Sequence, residues 1–159
     1  MGRGAAAAPP APTENLLLFT EQFNNAVWVK SGVTVTANTA LDPLGAATAD
    51  RLAFLLSGSI TQTSAVLGSS GSATQSGTAT STYSRFSVTA SIDGNPYTGS
   101  VYLKTIAGSV SLSLVLDTDG TNVRFSISDA AAAAPFTVVA WGAQLETGSM
   151  ATAYVMRTT

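Results

Sequence analysis

The two residue types with the widest chemical reach are missing: the 159-residue chain holds no cysteine and no histidine. Their absence excludes disulfides, thiolate and imidazole metal sites, Ser-His-Asp and Cys-His machinery, and the commonest proton shuttle at neutral pH. Charge is scarce too, at 10% of residues with a net charge of -2. The Lys and Arg residues stand singly, without the stripe that neutralises phosphates, so nucleic acid is not an expected partner. No apolar run approaches the roughly 20 residues of a membrane-spanning helix, and the first residues lack the order of a signal peptide. A soluble protein with no membrane partner and no cofactor is expected.

What remains is an apolar share of 45% with its polarity supplied mainly by Ser, Thr, Asn and Gln. Such a surface repels its own copies weakly and suits a protein packed against neighbours. The length fits one domain with its own core plus a short extension. That extension is residues 1–14, MGRGAAAAPPAPTE, which are small, Pro-broken and without periodicity. They make no core element and are expected to form an extended arm lying along a partner, with Arg3, Pro9, Pro10 and Pro12 as candidate contacts.

From Asn15 to Thr159 the pattern is strand after strand. In Ser109 to Leu116, Val110, Leu112, Leu114 and Leu116 share one face and serines the other, the period-two signature of a half-buried strand. Val123, Phe125 and Ile127 repeat it after Asp119-Gly120, where glycine permits the positive φ of a tight hairpin. Phe86/Val88/Ala90/Ile92, Val33/Val35 and the run Phe136 to Trp141 alternate similarly, and Thr48 to Leu56 is apolar enough for an inner strand. The Ser/Gly/Thr tract Gly68 to Thr82 reads as a long exposed loop or a ragged edge strand. Ala130 to Ala134, ending at Pro135, predicts one helical turn or an apolar contact patch, with Ala132 and Pro135 as candidate contacts. The sum is an all-β, antiparallel two-sheet β-sandwich. A jelly roll is the preferred topology, with an immunoglobulin-like order left open.

Chemistry-bearing residues are few. Asp117, Asp119 and Asn122 place oxygen ligands at near-alternating positions and could hold calcium, but the third acidic position and distal Glu of an EF-hand are lacking, and a plain hairpin turn accounts for them. Glu21, Asp42, Asp50, Asp93, Asp129 and Glu146 show no spacing that marks a catalytic pair. No enzymatic activity is expected. Trp28 and Trp141 are expected to close the two ends of the core, and Gln144 and Glu146 to satisfy backbone groups where the first and last strands meet. Tyr83, Tyr97 and Tyr102 are candidate stacking platforms for a glycan.

Both ends of the domain carry more specific wording. Asn15-Leu16-Leu17, Glu21, Phe23-Asn24 and Trp28, then Lys30 to Val35 and Asp42-Pro43-Leu44-Gly45, with Tyr97 to Lys104 and the closing Trp141-Gly142-Ala143-Gln144-Leu145-Glu146, resemble a jelly-roll domain of tailed-bacteriophage virion proteins. The resemblance implies a fold like that of carbohydrate-binding modules, usually appended to tail fibres or tailspikes. Here the domain follows only a short arm, and the stretch before the closing strand is shorter than in typical members. A separate virion part is therefore expected: a capsid decoration or cement protein that contacts the major capsid protein and copies of itself as a homotrimer. The alternative is a tail-fibre or tailspike module that binds a host surface glycan.

Overall fold

The computed structural model describes residues 14–129 and 135–159. The candidate contacts Arg3, Pro9, Pro10, Pro12 and Ala132, and the expected helical turn at Ala130 to Ala134, lie outside the described residues. Within them the chain is built of strands and turns with no helix, as the alternation predicts. The strands are β1 (Val29–Ala40), β2 (Ala49–Leu67), β3 (Ala73–Ala79), β4 (Ser84–Ile92), β5 (Asn95–Thr105), β6 (Val110–Thr118), β7 (Asn122–Ser128) and β8 (Phe136–Thr147). They pair antiparallel in the order β3-β6-β7-β2-β8-β5-β4, with β1 beside β2. The two outermost strands of that path, β3 and β4, face one another, so the ribbon nearly closes into a barrel-like sandwich. The pairs β2·β7, β3·β6 and β4·β5 are nested, while β6 also pairs with β7, β5 with β8 and β1 with β2.

The strand β2 changes partner along its length. Its first half pairs with β8, from Asp50↔Ala140 to Phe54↔Phe136, and its second half with β7, from Ser59↔Ser128 to Thr63↔Arg124. Between the halves, residues 55–58 bulge opposite Gly32. A β-carbon on Gly58 would stand 2.7 Å from the Gly32 carbonyl oxygen, and Gly32 itself has φ of 65°, so this bend needs two residues without side chains. The expected inner strand over Thr48 to Leu56 is thereby corrected at its end. Leu55 and Leu56 sit on the bend and are 63% and 54% exposed.

The core forms where alternation predicts it. Leu112, Leu114, Leu116, Val123, Phe125 and Ile127 are fully buried against Leu52, Phe54, Val101, Leu103, Val138, Ala140 and Leu145. Each such side chain contributes about 1.5–3 kcal/mol of transfer free energy before its ordering cost. Ser113 departs from the expected wet face: it is 2% exposed, its hydroxyl 3.1 Å from that of Ser76. Ser76 belongs to β3, the edge strand that occupies half of the Ser/Gly/Thr tract and pairs with β6 from Ala73↔Leu116 to Ala79↔Val110.

A segment before β1 and a tail after β8 complete the fold. Leu16 donates its amide to the Leu145 carbonyl and Ala143 to that of Thr20, so residues 16–20 extend the sheet alongside β8. The tail crosses back over the same strand. Gln144 accepts the Val155 amide at 2.7 Å, and Glu146 accepts the Thr152 amide and hydroxyl at 3.1 and 2.6 Å. Both side chains thus satisfy backbone as expected, but that of the returning tail rather than that of the first strand.

Buried and bonded carboxylates set the acid response. The Asp93 carboxyl accepts backbone and hydroxyl bonds from Ser69 and Ser70, which hold it below the usual carboxylate value of 3.8. At Asp42 burial acts upward but is outweighed by bonds from Thr48, Ala46, Leu44 and Gly45. Stabilisation from a depressed carboxylate is complete above 3.8 and is lost as pH falls through the folded value. Asp50 has the opposite sign: burial outweighs the bonds from Asn38 and Phe23, so its share is lost as pH rises from 3.8 through the folded value. Thermal melts from about pH 6 down to about pH 2 should therefore show a falling midpoint below pH 4. That fall should be shallower in Asp93→Asn, and an unchanged slope in the variant would remove Asp93 from the account.

Candidate functional site

Three surfaces carry the residues singled out from the sequence. The first is the hairpin joining β6 to β7, with Asp117, Asp119 and Asn122. Asp119 accepts the Thr121 and Asn122 amides at 2.9 and 2.8 Å, and Gly120 has φ of 94°. Asp117 faces Arg124 in a two-pronged pair at 3.0 Å, while Asn122 donates to the Val66 carbonyl at 3.3 Å. The three oxygen-bearing groups are engaged in three directions, the geometry of a capped turn. Among the described residues no group of three or more acidic side chains gathers where a metal ion could sit.

The second surface is aromatic. Trp28 is fully buried in the main core and donates its indole N–H to the Phe19 carbonyl at 3.0 Å, as expected of a core-closing residue. Trp141 is not its counterpart. The positive φ of Gly142, 67°, marks the irregularity that follows it, and the Trp141 ring lies on the outer face of the sheet with Ala49 and Val139. Tyr102 and Tyr154 cover it at centroid distances of 5.5 and 4.8 Å. Its indole N–H reaches the Thr48 hydroxyl at 3.0 Å, and that hydroxyl is held in turn by Asp42.

The candidate stacking residues divide here. Tyr83 and Tyr102 join this outer cluster, whereas Tyr97 packs against the main core. The ring faces of the first two are already used by cations: Lys104 Nζ lies 4.8 Å from the Tyr83 centroid and the Arg85 guanidinium carbon 5.4 Å from that of Tyr102. The Tyr83 hydroxyl donates to the Leu41 carbonyl at 2.6 Å, and burial, reinforced by the Asp42 charge, pushes its pKa up to about 12. Tyr154 is pushed up likewise by burial and by Glu21, whose carboxylate accepts its hydroxyl at 2.9 Å. These phenols are positioned as neutral hydrogen-bond donors.

The third surface surrounds Pro135, the one candidate contact within the described residues. Pro135 lines an open, largely apolar recess of about 260 Å³ with Thr34, Ala53, Phe54, Leu55, Phe136 and Thr137. Phe54 and Phe136 stack at 4.8 Å with 13° between their planes and form its floor. The exposed Leu55 reaches it from the β2 bend, where Leu56 is exposed too, and Asp129, the last described residue before the β7–β8 crossover, donates its amide to the Gly58 carbonyl on that bend. Leu55, Leu56 and Phe136 were missed in the sequence because apolar residues in a strand read as core. The one available signal was the adjacent pair Leu55-Leu56, which cannot both face inward on a period of two.

Asp42, Asp50, Asp93 and Glu146 each accept hydrogen bonds from neighbouring backbone, and Glu21 accepts from Tyr154. No family model matches the chain, and no curated protein matches it significantly.

Proposed function

We propose that this chain is a non-enzymatic structural protein of a tailed-phage virion, a decoration or cement protein that binds the outer capsid surface and stabilises the shell. Its partners are the major capsid protein and further copies of itself, arranged as a homotrimer. The observation that carries this reading is the apolar recess at Pro135 with the exposed Leu55 in its lining and a second exposed leucine, Leu56, next in sequence. A rigid sandwich that leaves large aliphatic side chains in water beside a stacked aromatic floor has the make-up of a protein-contact surface. The low surface charge favours dense packing of copies, and the resemblance of the N- and C-terminal runs supplies the virion setting. Residues 1–14 are the second contact in this reading. Glycan recognition through Tyr83, Tyr97 and Tyr102 has less support, since two of these rings are covered by cations and the third packs on the core.

The test uses capsids stripped of decoration. The double variant Leu55→Glu, Leu56→Glu should keep its circular dichroism spectrum and melting temperature, because both side chains are exposed. Its affinity for the particle should fall by about 30-fold or more, the loss of a single hot spot. Undiminished binding by this variant would overturn the assignment of the surface, and failure of the wild-type chain to bind any such particle would overturn the function.

A further inference from the structure

The tail after β8 is a separate piece laid on a finished surface. Gly148 still belongs to the sheet: its amide donates to the Pro96 carbonyl and its own carbonyl accepts the Thr98 hydroxyl, each at 2.9 Å. The chain then reverses over Ser149, Met150 and Ala151, the first two exposed, and returns across β8 as residues 152–159. No residue of this return belongs to the main core. Tyr154 alone joins an apolar cluster, half-buried against Trp141 on the outer face. The return can therefore lift away without opening the space between the sheets.

The surface beneath it depends on an occupant. Gln144 and Glu146 are fully buried and Asn15 is 1% exposed. Gln144 accepts the Val155 amide, Glu146 accepts the Thr152 amide and hydroxyl, and Asn15 donates to the Val155 carbonyl at 2.8 Å. Arg85 of β4 donates to the Thr152 carbonyl, and the Thr20 hydroxyl accepts the Arg157 amide at 3.0 Å. Three separate parts of the body, the opening segment, β4 and β8, thus converge on one extended peptide. An empty groove would strand buried polar groups, each at a desolvation cost. The groove also selects side chains: it holds the Thr152 hydroxyl at Glu146, the Tyr154 ring on Trp141 and the Tyr154 hydroxyl between Thr20 and Glu21. What fits is a Thr-Ala-Tyr-Val stretch, and every copy of this chain carries one.

Each of these contacts joins the body to the return, and only the three-residue reversal requires both to belong to one molecule. We propose that the groove is an exchange site between copies, in which the return of one chain seats in the groove of a second and makes the same bonds there. The closed and exchanged forms then differ only at residues 149–151, so concentration decides between them. A tether this short gives a chain's own return an effective concentration on the order of 1 mM. Dilute protein is therefore monomeric, and copies crowded to a comparable density exchange. Reciprocal exchange joins two copies, and head-to-tail exchange closes a ring. Exchange requires crowding and no virion, so it stands apart from the capsid reading.

The decisive variant deletes Ser149, Met150 and Ala151. Gly148 remains held on the sheet by Pro96 and Thr98, so without the reversal the following residues run outward and cannot seat on their own β8. By light scattering the variant should be oligomeric at about 10 µM, far below the effective concentration of the intact tether, where the wild type is monomeric. Its Thr152, Val155 and Arg157 amides should stay as protected from hydrogen exchange as in the wild type, and the mass distinguishes a pair from a ring. A monomer overturns the proposal, as does an oligomer whose tail amides exchange freely. Either result leaves the capsid reading to its own test at Leu55 and Leu56. Should the variant fail to fold, an equal mixture of ¹³C-labelled and unlabelled wild-type chains at about 1 mM decides the matter. Isotope-filtered spectra should show Tyr154 of one chain against Trp141 of another, and their absence overturns exchange.

Discussion

Replacing Phe125 by alanine should cost about 3–5 kcal/mol of folding free energy, the largest loss expected of any single core truncation here. Phe125 is fully buried in the middle of β7, paired with Gln62 on one side and Leu116 on the other. Its ring crosses the interior to the opposite sheet and lies over Gly99 of β5, where an added β-carbon would stand 2.6 Å from Cε1. Gly99 is therefore a socket for the ring, and the two positions are one packing unit. Gly99→Ala alone should cost about 1–3 kcal/mol by overpacking. Combined with Phe125→Leu, its cost should fall well below that in the wild-type background. A double-mutant cycle by chemical denaturation measures the coupling; strictly additive losses would show that the ring does not depend on the glycine.

The second large effect belongs to Asn15. Its side chain is 1% exposed and makes four hydrogen bonds: the amide donates to the Ala143 and Val155 carbonyls at 3.0 and 2.8 Å, and the oxygen accepts the Leu17 and Leu145 amides, each at 3.2 Å. One residue thus ties the opening segment, β8 and the tail together. Asn15→Ala leaves three buried backbone groups and one half-buried one to find other partners, and a loss of at least about 3 kcal/mol is expected. Hydrogen exchange should localise the damage, with the amides of residues 15–20 and 152–158 losing protection well before those of β6 and β7. Uniform loss across the molecule would mean that the three-way junction is not a separate unit of stability.

The reach of the sequence can be judged residue by residue. Strands β6 and β7 and the Asp119-Gly120 turn were readable because alternation and turn chemistry are local and act together there. The strand at Ala73–Ala79 could be offered only as an option, since its Ser, Thr and Gly side chains carry no periodic signal and its pairing with β6 decides the matter. Trp141 was misplaced because a tryptophan inside an apolar run reads as core, whereas alternation with the inward Val138 and Ala140 sets it beside Val139 on the outer face beneath two tyrosines, and the irregularity at Gly142 then returns Ala143 and Leu145 to the core. Among the candidate contacts, Pro135 was singled out through its alanine-rich context. Its neighbours in space, Thr34, Ala53 and Phe136, come from three strands, and no local pattern records which strands lie side by side.

The junction around Arg157 has a mechanical consequence. That guanidinium reaches Glu14 at 3.7 Å, the Asn15 carbonyl at 2.8 Å and the Thr159 carbonyl at 3.2 Å, so the polypeptide closes on itself at a single corner. A pull applied at Glu14 would bear on the corner where Thr159 also lies before it could stretch the sandwich from pole to pole.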